Sequence, residues 1–175
     1  MFAAKSLIRG CTMTMIYVTD IDRLGFAVMR LPVGAVGLDI DAPGAFFEKG
    51  VGRMMMIVQV RKLATKLSRT YGLGLYWLYH TASGLHVIFQ CRLSCWSAVK
   101  VVLMEAFKQE GWHECGGHAQ CCYDAGHVQL RVGHKPRRRY WDINPVLGNP
   151  PVDAAPDHVR EHARLLGLRL QVRGE

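Results

Sequence analysis

Residues 75–92 read LYWLYHTASGLHVIFQCR, and this stretch decides the fold. Leu75–Tyr79 and Leu85–Gln90 are rich in aromatic and β-branched side chains, which suit a pleated, half-buried surface. Thr81-Ala82-Ser83-Gly84 between them has the small and glycine residues of a hairpin loop. Leu85, Val87 and Phe89 alternate with His86, Ile88 and Gln90, so His86 and Gln90 are expected on one face. A small-residue turn leaves backbone N–H groups open to an anion, and an imidazole at the rim adds a donor. The plainer alternative is an ordinary hairpin with a surface histidine.

Upstream, Val36–Ile40 reads as a buried strand that carries two carboxylates, Asp39 and Asp41. On a strand, residues i and i+2 point to the same side, so the two acids project together. Adjacent carboxylates repel unless a cation lies between them, and hard cations such as Mg²⁺ take such oxygen ligands. The competing reading is a strand end running into the Ala42-Pro43-Gly44 turn. Ile16–Val18 and Phe26–Leu31 are two further short apolar runs. Arg53–Tyr71 is the clearest helix, with Met54, Ile57, Val58, Leu63, Leu67 and Tyr71 as its apolar side and Gly72 as its stop. Arg61, Lys62, Lys66 and Arg69 cover the other side.

Downstream of the hairpin, Trp96–Glu110 is expected to be a helix that buries Val99, Val102, Leu103, Ala106 and Phe107. His113–Cys122, HECGGHAQCC, holds zinc-competent residues, but they crowd together instead of forming two separated knuckles. A glycine-bearing loop feeding a strand is expected there, and zinc is not. Val128, Leu130 and Val132 alternate with Gln129 and Arg131 to make that strand, entered from Asp124. Arg131, Lys135, Arg137, Arg138 and Arg139 follow with no acid among them, a solvated face or a phosphate-binding run. Tyr140 and Trp141 lie beside the run and are suited to stacking on bases or packing under the loop. Pro156 opens a last helix, and Leu168–Val172 is expected to be an edge strand.

The chain has 175 residues, half of them hydrophobic, enough for one domain with a substantial core. Its net charge of +8 favours a polyanionic partner such as nucleic acid or a phosphate-rich substrate. No apolar run reaches membrane-spanning length. Six irregularly spaced cysteines without a secretory signal point to a reducing compartment, hence a cytoplasmic location. Residues 1–14 are expected to be a disordered leader, with an amphipathic targeting segment as the alternative.

Three pieces therefore lie in order: Gly37-Leu38-Asp39-Ile40-Asp41, then the Thr81–Phe89 turn and strand, then Tyr123-Asp124 leading to Arg131, Gly133 and Lys135. This order resembles the three motifs of the archaeo-eukaryotic primase superfamily, the primase–polymerases of replication, plasmids and phages. The segment after Arg131 is shorter than that family's pattern and lacks its proline-glycine-serine turn. The resemblance implies an α+β fold with a split βαβ core like that of RNA-recognition folds. Its mixed or antiparallel sheet would carry helices on one face. Residues 15–149 would be the catalytic domain and 150–175 a C-terminal helical extension.

The implied chemistry is nucleotidyl transfer, with Asp39, Asp41 and Asp124 holding two Mg²⁺ or Mn²⁺ ions. His86, Ser83 and Gly84 would hold the incoming triphosphate, and Arg131 and Lys135 would neutralise its charge. Arg137, Arg138 and Arg139 would grip the template backbone. Partners would be a DNA or RNA template, nucleoside triphosphates, and a helicase or other replication proteins. Two rivals stand beside this reading. One is a non-catalytic nucleic-acid-binding replication accessory on the same fold. The other is a metal-dependent nuclease, disfavoured because no H-x-H pair is present.

Overall fold

The computed structural model describes residues 19–21, 27–42, 52–81, 84–114, 118–132 and 144–166. Ser83, Lys135, Arg137, Arg138 and Arg139 lie outside the described residues, as do the 16–18 run and the 168–172 edge strand. In chain order the elements are β1 (Thr19–Ile21), β2 (Ala27–Arg30), β3 (Ala35–Asp41), α1 (Gly52–Tyr71), β4 (Tyr76–His80) and β5 (Gly84–Arg92). There follow α2 (Trp96–Gln109), β6 (His113–Glu114), α3 (His118–Ala125), β7 (Gln129–Arg131), β8 (Asn144–Pro145) and α4 (Asp157–Leu165).

The predicted hairpin forms as β4 and β5, with Tyr79 opposite His86 and Trp77 opposite Ile88. It is the middle of a five-stranded sheet of order β6-β3-β5-β4-β8. A separate three-stranded sheet, β1-β2-β7, was not anticipated. Every strand pair among the described residues is antiparallel. The protein is therefore an α+β structure.

Directly opposed residues of an antiparallel pair share a face, which sorts the large sheet into two sides. Leu38, Ile40, Leu78, Leu85, Val87 and Phe89 line one side and are all fully buried. Both long helices pack there. The Tyr76 hydroxyl donates to the Arg61 carbonyl of α1 (3.2 Å) and lies 2.7 Å from Thr65 Oγ1. Lys100 of α2 reaches Glu114 of β6.

The buried stripes of both helices differ from those expected. On α1 it is Met56, Val60, Ala64 and Leu67 that are buried, while Met54, Val58 and Tyr71 are exposed. Apolar residues occur on several sides of this helix, and the side with the small Val60 and Ala64 lets it sit closest to the sheet. On α2, Val102 is exposed and Lys100 takes an inward position because Glu114 receives it.

The other side of the sheet carries Gly37, Asp39, Asp41, Gly84, His86, Trp77 and Tyr79. The small sheet lies over Gly37: a Cβ there would fall 3.1 Å from Leu31, 3.2 Å from Val128 and 3.5 Å from Leu130. Helix α4 covers the next part, which corrects the expectation of helices on one face only. Its His162 ring packs against Tyr79 (4.5 Å between centroids) and His86 (5.9 Å). Ala155, Val159 and Leu166 join the same apolar core as the two sheets, so the 150–166 segment is part of that core. No helix among the described residues is long and apolar enough to cross a membrane.

The seating of α4 makes the fold acid-sensitive. His158 and His162, one turn apart, are both buried, and His158 Nε2 lies 3.1 Å from the Phe89 carbonyl it donates to. Burial first, then the neighbouring His86 and His158, holds His162 well below the usual histidine range; burial likewise lowers His158. Below about pH 6.5 the unfolded chain takes up protons that these buried rings refuse. Stability is then fully present above that pH and falls as the pH drops, by at most about 1.4 kcal/mol per histidine at pH 5.5. Urea midpoints should fall between pH 7.5 and 5.5, and fall less in His162→Leu. An equal fall in both would mean that His162 does not couple α4 docking to protons.

Candidate active site

β3 and β5 bring the first two motifs into contact. Asp39 stands directly opposite His86, and Asp41 opposite Gly84 at the hairpin turn. On its other edge Asp41 faces His113 of β6. His86 Nε2 lies 3.5 Å from Asp39 Oδ1. The Asp39 side chain is 15 % exposed and the His86 side chain fully buried. Burial comes from α4, whose His162 closes over the ring, so His86 is not at an open rim as expected. It stands behind Asp39, on the buried side of that carboxylate. The turn is tied by Thr81, whose N–H donates to the Gly84 carbonyl (2.9 Å) and whose Oγ1 accepts from the Gly84 N–H (3.0 Å).

The third motif does not join this row. Asp124 is in the last turn of α3, exposed, and accepts a hydrogen bond from Gln120 (2.6 Å). The expected entry into a strand fails because residues 118–125 fold as a helix. His118 and Cys122, one turn apart, point inward to Glu114 and Gln129, and this leaves Asp124 facing outward. Among the described residues no three His, Cys, Asp or Glu side chains gather closely enough to hold a metal ion. Arg131 ends β7 opposite Val28 and is buried. What remains is a pair of carboxylates on a strand end, half-buried, with a histidine opposite one and Gly84 opposite the other.

No protein-family model, curated protein or solved structure matches the chain.

A second polar cluster escaped the sequence reading. The fully buried Lys100 ammonium pairs with Glu114. Glu114 also accepts from His118 Nδ1 (3.3 Å), and His118 Nε2 faces the Gln129 carbonyl and Cys122 Sγ, the latter at 3.5 Å. Burial opposes charge on His118, but the bonds to Cys122 and Glu114 outweigh it and push the ring up to about 10. Burial also opposes the Cys122 thiolate, yet the adjacent His118 brings that thiol below its usual range. The Gln129 N–H, 3.4 Å away, donates to the same sulfur. Both ring nitrogens thus have acceptors, which is the arrangement an imidazolium needs. The spacing Glu114, His118, Cys122, four residues apart each time, was the available signal.

The cluster ties α2, β6, α3 and β7 together at the β6 edge of the large sheet, where Glu114 stands opposite Ile40. Glu114→Gln would leave the Lys100 charge buried without its counter-ion. Losing one partner of a buried pair is costly, and a loss of about 3 kcal/mol is expected. Urea unfolding at pH 7.5 measures it, and a loss below about 1 kcal/mol would mean the pair is solvated.

Proposed function

We propose that the protein is a metal-dependent nucleotidyltransferase of the primase–polymerase kind, which makes or extends primers on a nucleic-acid template. The observation that carries this reading is the register of β3 with β5: Asp39 and Asp41 project side by side, one opposite His86 and the other opposite Gly84. The element order supports it. β3, α1, β4, β5, α2 and β6 follow one another as strand–helix–strand–strand–helix–strand, with the strands arranged β6-β3-β5-β4. That order is compatible with the split βαβ pattern proposed from the resemblance, with the acids on the side away from α1 and α2.

Two carboxylates suit Mg²⁺ or Mn²⁺, which binds through one or two acids and takes the rest of its shell from water and substrate phosphates. When bound there, such an ion supplies charge stabilisation at the transferring phosphoryl group and the leaving pyrophosphate. Asp39 and Asp41 are the ligands. His86 backs the Asp39 carboxylate at 3.5 Å and, being buried, does not touch the triphosphate. Gly84 lets β5 lie directly against the β3 backbone beside Asp41, where a Cβ would overlap the Ile40 carbonyl oxygen; its N–H is taken by Thr81 Oγ1 and is not offered to phosphate. Lys135 and Arg137–Arg139 are the proposed phosphate and template contacts, with Ser83 at the turn. Asp124 has no part in this version of the site.

A second reading, the non-catalytic nucleic-acid-binding accessory, is favoured by one observation: among the described residues no third acid joins Asp39 and Asp41, and their histidine is covered by α4. Primer synthesis and extension, assayed with Mg²⁺ and with Mn²⁺ beside a DNA-binding titration, separates the two. Templated incorporation with either ion supports the enzyme. Tight binding with no incorporation by folded, monodisperse protein would replace it with the binding module.

A further inference from the structure

Between Glu48 and Glu105 the sequence contains no Asp or Glu, and α1 lies wholly inside that interval. Its Lys62, Lys66 and Arg69 are exposed and stand at i, i+4 and i+7, a row of cations along one side of the helix spanning about 10 Å. Among the described residues none of the three makes an ion pair. The row borders two adjoining depressions. One, of about 370 Å³, lies between α1 and the turn at Gly148–Pro150 and is lined by Arg61, Ser68, Arg69, Tyr76 and Asn149. The other, of about 610 Å³, is more open; it shares Arg61, Arg69 and Tyr76 and extends over Lys62 and Lys66.

The walls of this cleft are fixed. The Arg61 guanidinium donates to the Leu147 carbonyl, and the Gly148 turn closes against it, since a Cβ there would fall 3.0 Å from Nη1. The Asn149 side-chain amide is bonded to the backbone of Leu78 in both directions (2.8 and 3.0 Å). The Ser68 hydroxyl donates to the Gly74 carbonyl, and the Tyr76 hydroxyl is held between Thr65 and Arg61. With the neutral polar groups already satisfied, the groups left to meet a ligand are the cationic ends.

We infer that this cleft and the row Lys62, Lys66, Arg69 form a second nucleic-acid site, which holds the phosphate backbone of a single strand without reading its sequence. Closely spaced cations on a rigid helix suit successive phosphates, and they bind by releasing counter-ions from the strand. The exposed Leu75 and the half-buried Tyr76 at the floor offer apolar surface to a base or sugar. The site is apart from the carboxylate pair. Tyr76 lies three residues along β4 from Tyr79, about 10 Å, and on the opposite side of the sheet from Asp39. A strand held here is gripped outside the site of chemistry. The inference rests on the nucleic-acid partner of the proposed function and not on its reaction.

The test is fluorescence anisotropy of a labelled 16-nucleotide single strand, in thymine-only and mixed sequences, at two salt concentrations with EDTA present. The triple variant Lys62→Gln, Lys66→Gln, Arg69→Gln alters only exposed side chains; its urea midpoint should match wild type. Its affinity should fall roughly 10- to 100-fold equally for both sequences, and its log–log salt slope should flatten by about two units. Lys66→Glu alone should weaken binding more than Lys66→Gln. If the triple variant binds like wild type, or wild type binds no strand, the inference is wrong whatever the enzyme assay gives. If the triple variant loses binding while wild type incorporates no nucleotide, the cleft stands and the nucleotidyltransferase falls.

Discussion

Gly84→Ala is expected to cost more than about 4 kcal/mol or to prevent folding, although it adds a single methyl group. A Cβ on Gly84 would overlap the Ile40 carbonyl oxygen and lie 2.7 Å from the Ile40 carbonyl carbon and 2.8 Å from Asp41 Cα. These are backbone atoms of β3, which is held on one edge by β5 and on the other by β6, so neither can yield alone. Relief requires opening the β3–β5 ladder at the turn, which also misaligns Asp41. Against a total stability of about 5–15 kcal/mol, such a loss decides whether the chain folds. Gly37→Ala is the control. Its Cβ meets only the ends of Leu31, Val128 and Leu130 side chains, and a cost of about 1–2 kcal/mol follows from overpacking. Chemical denaturation of both variants checks the pair. Equal, small losses would mean that β3 and β5 do not approach as closely at Gly84 as the register requires.

What could be read from sequence was local. The hairpin was legible because alternation and turn residues agree over residues 75–92, and its strands form as Tyr76–His80 and Gly84–Arg92. The two long helices were legible as helices although their buried sides were not, and Gly72, read as the stop of the first, takes a positive φ of 65°. The acids were placed correctly on a strand, with Asp39 and Asp41 on one side. Register was not legible: nothing within β3 says that Asp39 faces His86 and not Val87, because long-range pairing fixes it.

Helix α3 was missed because His118–Ala125 has no apolar stripe. Its inward side is His118 and Cys122, whose partners Glu114 and Gln129 come from other elements. The burial of His86 was hidden for the same reason, since the covering His162 lies far along the chain. An alternating strand pattern marks which residues share a side; it does not say what covers that side.

The proposed cation seat for nucleotidyl transfer is the pair Asp39 and Asp41, and removing both carboxylates tests it. Nucleotide incorporation with Mn²⁺ is measured for wild type and for Asp39→Asn with Asp41→Asn, beside single-strand binding of each. Losing the ligands should remove several kcal/mol of transition-state stabilisation, a fall of about 10³-fold or to background. DNA binding should persist or tighten slightly, because two negative charges leave a face that phosphate must approach. Wild-type incorporation that survives the double substitution in folded protein, or a variant that loses binding and incorporation in equal measure, would contradict the claim.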